Sequence, residues 1–233
     1  MDYVSAMPSS RRDSPPKTKR HASAAVIAAG ERALARRDPA LRLVIREAGP
    51  CPLGGRRHRS HFEALVRSIT FQQLAGRAAA AIHGRLVALF DGTRMTPESV
   101  LAMPEVDIRS VGMSAAKTAS IRDLAAKAID GTVPLSGMSR LSDEEIVERL
   151  SAVRGIGRWT AEMFLMFQMA RPDVWPVGDL GVRAGYALMH GLEVPPTPKE
   201  LEPLGDPYRP YRSVAAWYCW QAVHLSRGEI TPR

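Results

Sequence analysis

The chain has 233 residues, 45% of them hydrophobic, and 32 Lys and Arg against 24 Asp and Glu give it a net charge of +8 and an isoelectric point near 10.0. That is enough for one domain, or two intimately packed ones, around a sizeable core, and it excludes disorder over most of the length. Two cysteines, Cys51 and Cys219, are too few for a disulfide framework, a four-cysteine zinc site or a four-thiolate iron–sulfur cluster, and no apolar run approaches a membrane span or a secretory signal, so a soluble intracellular protein is expected.

Residues 1–59 carry 13 basic and 5 acidic side chains, while 60–233 carry 19 of each. The basic character therefore belongs to the leading segment. Residues 1–20, rich in Ser, Pro, Lys and Arg with nothing to bury, predict a mobile arm. It is either a solvated tail or a source of salt-sensitive affinity for a polyanion.

From His21 onward the signals are helical, with few alternating runs of β-branched residues. Ser60 and Glu63 have capping-box spacing, and Phe62, Leu65, Val66 and Ile69 follow on one helical face. An Ala-rich helix is expected from about Leu74 to Phe90, stopped at Asp91-Gly92. Thr96-Pro97 opens a short helix, Ser114 caps another through Ile129 with Gly131 as its stop, and Ser142 with Glu145 makes a further capping box. Helices over Asp143–Ala152 and Arg158–Ala170 flank a tight connection. Six prolines between Pro195 and Pro210 predict a loop before the last helix, Ser213 to Ser226. The class is all-α. No repeat of 20–50 residues recurs, and the helix–turn–helix stretches around Gly112 and Gly155 look alike only in outline.

The most informative stretch is LSAVRGIGRWTA, Leu150 to Ala161. Gly155 and Gly157 permit positive φ and close backbone approach, so two helices can join through a very short hairpin whose amides lie at the positive end of the next helix, where a phosphate oxygen can be held. Alone, such a GxG is more often an ordinary tight turn between helices. Further on stands WPVGDLGVRAG, in which Asp179 reads as an N-cap of the helix holding Leu180 and Val182 or as a catalytic carboxylate, and both can be true.

Together, hairpin and aspartate loop at this separation resemble the helix-hairpin-helix glycosylase superfamily, most closely its alkylation-repair branch of 3-methyladenine DNA glycosylase II type. The likeness runs from about Ser60 to Leu225 and includes VRSITFQQLAGRAA and YRSVAAWYCW. It implies a two-lobed helical fold without an N-terminal β domain: a central lobe, 60–166, with the hairpin, and a second lobe, 21–59 plus 167–233, with the Asp loop. It implies that amides of Gly155, Gly157 and Trp159, with Arg158 nearby, hold DNA phosphates. The carbonyls of Ser151, Val153 and Ile156 would hold a monovalent cation, Na or K. No cofactor is needed for catalysis.

Asp179 matches the catalytic position. A fixed carboxylate stabilises the oxocarbenium-like sugar left as a base departs, and it can orient the attacking water. Relatives that also cut the backbone carry a lysine where this chain has Trp159, and an indole offers no nucleophilic amine, so the resemblance implies a monofunctional enzyme that leaves an abasic site. The family's iron–sulfur cysteines are absent. Trp159, Met163 and Trp220 match the base pocket, where indole faces would stack on a positively charged alkylpurine; Met163 stands where some relatives have tyrosine. Trp217 and Tyr218 read as core, and the six histidines have no metal-ligand spacing.

Base flipping leaves a hole in the duplex. The loop Phe71-Gln72-Gln73-Leu74 matches the family's filling loop, with Gln73 as first choice and Leu74 second; the plain alternative is two polar residues in a helix-to-helix turn. The expected function is removal of 3-methyladenine and 7-methylguanine type bases from double-stranded DNA by a monomer. The rivals are a non-catalytic helix-hairpin-helix DNA-binding module and a glycosylase for deaminated or mismatched bases.

Overall fold

A computed structural model describes residues 21–55, 59–90 and 94–229. The basic arm and the expected stop at Asp91-Gly92 lie outside the described residues. Among the described residues there is no strand, and no helix is long and apolar enough to cross a membrane.

Local capping chemistry sets most of the helix starts. Ser23 caps α1, Ala24–Arg37. Asp38 ends it and starts α2, Pro39–Ala48, accepting the amides of Ala40 and Leu41 at 2.9 and 3.1 Å with Pro39 in the first turn. The Ser60–Glu63 box opens α3, His61–Phe71, and Phe62, Leu65, Val66 and Ile69 are all buried. Then come α4, Gly76–Ala88; α5, Pro97–Ala102, under the Thr96 cap; α6, Glu105–Ser110; α7, Ala115–Ile129, under Ser114; and α8, Asp143–Ser151, under the Ser142–Glu145 box. The chain closes with α9, Arg158–Met163, α10, Leu180–His190, α11, Pro198–Leu204, and α12, Arg212–Ser226.

Several expectations need correction. The Ala-rich helix begins at Gly76 rather than Leu74, because Gln73 takes φ +54 and breaks the path of the backbone. The helix expected through Ala170 leaves α-geometry at Phe164 and makes a π-helical turn over Phe164–Gln168, closed by the amide of Met169 on the carbonyl of Phe164 at 3.0 Å. The proline-rich loop holds α11: a Thr197–Glu200 capping box and Pro198 at the first helical position nucleate it, and Pro203, in its last turn, removes one amide donor just before the helix ends at Leu204. The short α6 carries no strong periodic signal.

Helices α1, α2, α10 and α12 pack on one another, while α3 to α7 pack together beside the α8–α9 pair and the π turn. One continuous core runs through both groups. The chain passes between them at Arg171, which is 4% exposed. Its guanidinium donates to the carbonyls of Ser139 and Leu141, and its own carbonyl accepts the Ser213 hydroxyl at 2.7 Å. Where α10 crosses α12, Gly185 lies so close to Cys219 that an added Cβ would sit 1.9 Å from the Cys219 carbonyl oxygen. That contact sets the height of α10, whose N-cap is Asp179, against α12, whose next residue is Trp220.

Candidate active site

The hairpin joins α8 to α9 over residues 152–157. Val153 and Ile156 are buried at 2% and 3% and act as its apolar pins. Gly155 has φ +76, and a Cβ there would meet the Ser120 hydroxyl oxygen at 2.7 Å, so the turn requires glycine twice over. Gly157 is different from the sequence expectation: its φ is −100 and nothing stands within 4 Å of an added Cβ, so it serves by leaving space at the mouth of α9 rather than by its conformation. Gly155, Gly157 and Trp159 are all exposed. The amide of Arg154 is turned inward to Asp123 at 2.7 Å.

Arg158 is engaged within the protein. Its guanidinium pairs with Glu144 on α8 and approaches Glu162 at 3.8 Å. A phosphate reaching Arg158 competes with Glu144. Glu162 is buried, and burial pushes its carboxyl up to about 7; Arg158 pulls the other way, while Glu144 and Asp179 add to the rise. Between the ordinary value of 4.5 and about 7 the folded chain keeps a proton that the unfolded chain has released, so stability falls as pH rises through that window. Glu162→Gln is expected to raise stability by about 2–3 kcal/mol at pH 8 and to change little at pH 4. Thermal melts of both proteins across that range check it; equal gains at both pH values would exclude burial of the charged form as the cause.

Asp179, 7% exposed, is the meeting point of three elements. As N-cap of α10 its Oδ1 accepts the amide of Val182 at 2.8 Å. The same oxygen accepts the indole N–H of Trp220, from α12, at 2.9 Å. Oδ2 accepts the indole N–H of Trp159, from α9, at 2.6 Å. Three donors hold the carboxylate at one orientation. The preceding turn is tied by the Asp179 amide on the Pro176 carbonyl at 2.9 Å.

Both indoles present their N–H edges to Asp179. Trp159 is 50% exposed. Trp220 lies over Gly181, where a Cβ would be 2.7 Å from the ring, and Phe167 stacks on it with centroids 5.8 Å apart and planes at 20°. Phe167, from the π turn, is 47% exposed. Sequence reasoning missed it; its one available signal is a large aromatic ring placed off the buried face of α9. Trp217, half-buried, and Tyr218, fully buried, belong to the core, where the Tyr218 hydroxyl bonds Glu31 at 2.6 Å.

A cavity of about 750 Å³ opens beside Trp159, lined also by Met163, Thr160, Gly155, Gln72, Gln73 and Lys117. The structure thus gathers Trp159, Met163, Gly155 and Gln73 at one opening, with Asp179 and Trp220 joined to it through the Trp159 indole. Gln73 and Leu74 are exposed at the tip of the loop between α3 and α4. Gln72, which sequence reasoning passed over, donates its amide to the Gly155 carbonyl at 2.9 Å. Cys51 and Cys219 are buried thiols outside any disulfide, their pKa values raised by burial, that of Cys51 to about 12.

The sequence and the fold have known counterparts. Residues 66–210 match the family described as HhH-GPD superfamily base excision DNA repair protein. The chain is 39% identical over 167 residues, 71% of its length and 73% of the relative's, to DNA-3-methyladenine glycosylase 1 of Schizosaccharomyces pombe. The solved structure of the S. pombe 3-methyladenine DNA glycosylase in complex with abasic DNA superposes with a TM-score of 0.73 at 35% identity, covering 83% of this chain and 95% of that one. The DNA-3-methyladenine glycosidase of Bacillus halodurans gives 0.77 at 32% identity, covering 86% and 91%. A family match over residues 66–210, with 39% identity to a relative over 71% of the chain, makes this protein a member of the HhH-GPD superfamily of base excision DNA repair proteins.

Proposed function

We infer that this protein is a DNA-3-methyladenine glycosylase of base excision repair, an N-glycosyl hydrolase that turns an alkylated base out of duplex DNA and releases it. The 39% identity to the yeast glycosylase supports the activity. The observation that carries the mechanism is the Asp179 carboxylate, buried yet held between indole donors from α9 and α12 at 2.6 and 2.9 Å.

A glycosidic bond to an N3- or N7-alkylated purine breaks readily, since the base departs neutral, and the demand on the protein lies at the sugar. There a positive charge develops, and a carboxylate already oriented by three donors stabilises it without reorganising. Water adding to the sugar completes the hydrolysis, with Asp179 as the group to orient it. Trp159 has no amine to attack C1′, so the product is an intact strand with an abasic site. The exposed face of Trp159 and the Phe167–Trp220 stack supply flat, electron-rich surfaces for a cationic base. Met163, which lines the cavity beside Trp159, gives that side a flexible thioether in place of a tyrosine ring.

At the hairpin, exposed amides at the start of α9 suit a phosphate. A cation, Na or K, would take the carbonyls of Ser151, the last residue of α8, and of Val153 and Ile156 in the hairpin: all are neutral oxygens, and Val153 O, which accepts the Ile156 amide at 3.0 Å, keeps a second lone pair. A cation there would add positive potential under the phosphate. Double-stranded DNA with an alkylated base is the partner, and the chain acts as a monomer.

Incubation with methylated DNA, followed by identification of the free bases by mass, is expected to yield 3-methyladenine and 7-methylguanine. Release of hypoxanthine from an inosine-containing duplex, with no methylated base freed, would replace this reading by a glycosylase for deaminated bases. Tight binding with no base released from either substrate would leave a DNA-binding module.

A further inference from the structure

The loop that carries Gln73 is held at two points by side chains that take no part in the chemistry above. Helix α3 ends at Phe71, and its last carbonyls lack partners within the helix. Lys117 supplies one from across the cavity: its ammonium donates to the Thr70 carbonyl at 2.8 Å and to the Gln72 carbonyl at 2.7 Å. A cation at this place also opposes the negative end of α3. On the other side, the Gln72 side chain donates to the Gly155 carbonyl at 2.9 Å, inside the hairpin. Between these two fastenings the next residue, Gln73, sits exposed at φ +54, a conformation that costs an L-residue energy and persists only where its surroundings enforce it.

Lys117 owes its place to the turn at Gly112. That turn, with φ +92 at Gly112 and Met113 buried behind it, leads into the Ser114 cap, and Ser114 accepts the Lys117 amide at 3.3 Å in the first turn of α7. The Arg85 side chain fastens the turn in its own right, donating to the Val111 carbonyl at 3.0 Å. The stretch that resembles the hairpin only in outline thus has a separate task.

We propose that Lys117 is a positioning residue for base extrusion: with Gln72 it locks the Gln73 loop to the phosphate-holding hairpin, so that the side chain entering the duplex and the grip on the strand move as one rigid unit. This rests on the glycosylase reading above. Extruding a paired base opposes stacking and pairing. A loop free to recoil from the base stack transmits little of that work. Where the target base is already unpaired, the demand on the loop largely disappears. Loss of the ammonium therefore penalises the paired substrate selectively, which neither a defect at Asp179 nor a general loss of folding does.

The experiment is single-turnover release of an alkylated purine from two duplexes, one with the base paired and one with it opposite an abasic site, by the full-length protein and by Lys117→Met. The substitution keeps the aliphatic stem and removes the donors. Release from the paired duplex is expected to fall by ~10–100-fold and release from the unpaired one by less than about threefold, the size typical of a misplaced rather than missing group. A local fluorescent base beside the target reads extrusion directly and is expected to slow in step. An equal fall on both duplexes, or an unchanged ratio, overturns the proposal; a structural role would lower the melting temperature and both rates together. Lys117→Gln, able to donate to one carbonyl, serves if Lys117→Met folds poorly and should show a smaller loss in the same direction. Absence of base release by the unsubstituted protein on both duplexes would refute the glycosylase reading itself, and with it this role.

Discussion

Asp179→Asn is expected to bind methylated DNA as well as the parent does and to release its bases at least ~10³-fold more slowly, the loss typical of removing a preorganised charge from a site where charge develops. The substitution is nearly isosteric. An asparagine carbonyl can still accept the Val182 amide and the Trp220 indole, so the start of α10 survives. What changes is the other end of the side chain, where an amide would face the Trp159 N–H donor to donor across a contact now 2.6 Å long. Stability should drop by about 1 kcal/mol, the usual net worth of one hydrogen bond, and remain sufficient for folding. DNA affinity should hold or rise slightly, since a negative charge beside phosphates is lost. Titration of labelled duplex and timed release of free base separate the two quantities. A mutant whose release rate stays within a few fold of the parent would assign the chemistry to another group.

Gly185→Ala is expected to abolish folding or to cost more than about 4 kcal/mol, the range reached when backbone must be forced apart. The added carbon would lie 1.9 Å from the carbonyl oxygen and 2.7 Å from the Cα of Cys219, all of it main chain that cannot rotate away. Relief requires α10 and α12 to separate, and these two helices hold Asp179 and Trp220 in contact. Any folded fraction should therefore be poorly active as well. Gly84→Ala is the contrast: it lies inside α4 with nothing within 4 Å of its Cβ position, so the substitution should be neutral or stabilising by about 0.5–1 kcal/mol. Chemical denaturation of the two variants checks both. Similar stability of the two would mean that the approach of α10 to α12 is not what fixes the fold here.

Two features of the site connect stability with function. The Arg158 guanidinium is shared between Glu144 and the buried Glu162. Under the proposed function, a phosphate held by Arg158 would draw on the same guanidinium that lies 3.8 Å from the Glu162 carboxylate. Arg171 similarly joins the start of α8 to the entry of α12 through backbone carbonyls and Ser213.

Caps and periodic faces were legible in the residues because they are local. Ser60 with Glu63, Ser142 with Glu145, Thr96 with Pro97 and Ser114 each satisfy amides within three or four positions, and the energy involved does not depend on the rest of the chain. The hairpin glycines and the Asp loop were legible by pattern. Proline counting misled over 195–210, because a proline in a first turn supports a helix that the same residue would break further in. The π turn escaped notice since one widened turn leaves the apolar run Phe164–Phe167 unbroken in the sequence and has no capping or proline signal of its own.

By itself, then, the order of residues determined that this chain is helical, where most helices start, and that a glycine hairpin and an aspartate stand about two dozen positions apart. Tertiary structure alone decided that indoles from α9 and α12 meet on one carboxylate, that Phe167 rather than Trp217 joins Trp220, that Arg158 is paired with Glu144, and that Lys117 reaches the end of α3. The reason is range. Hydrogen bonds within one turn are written in neighbouring residues, whereas contacts between helices depend on approaches such as that of Gly185 to Cys219, fixed by the packing of the whole core.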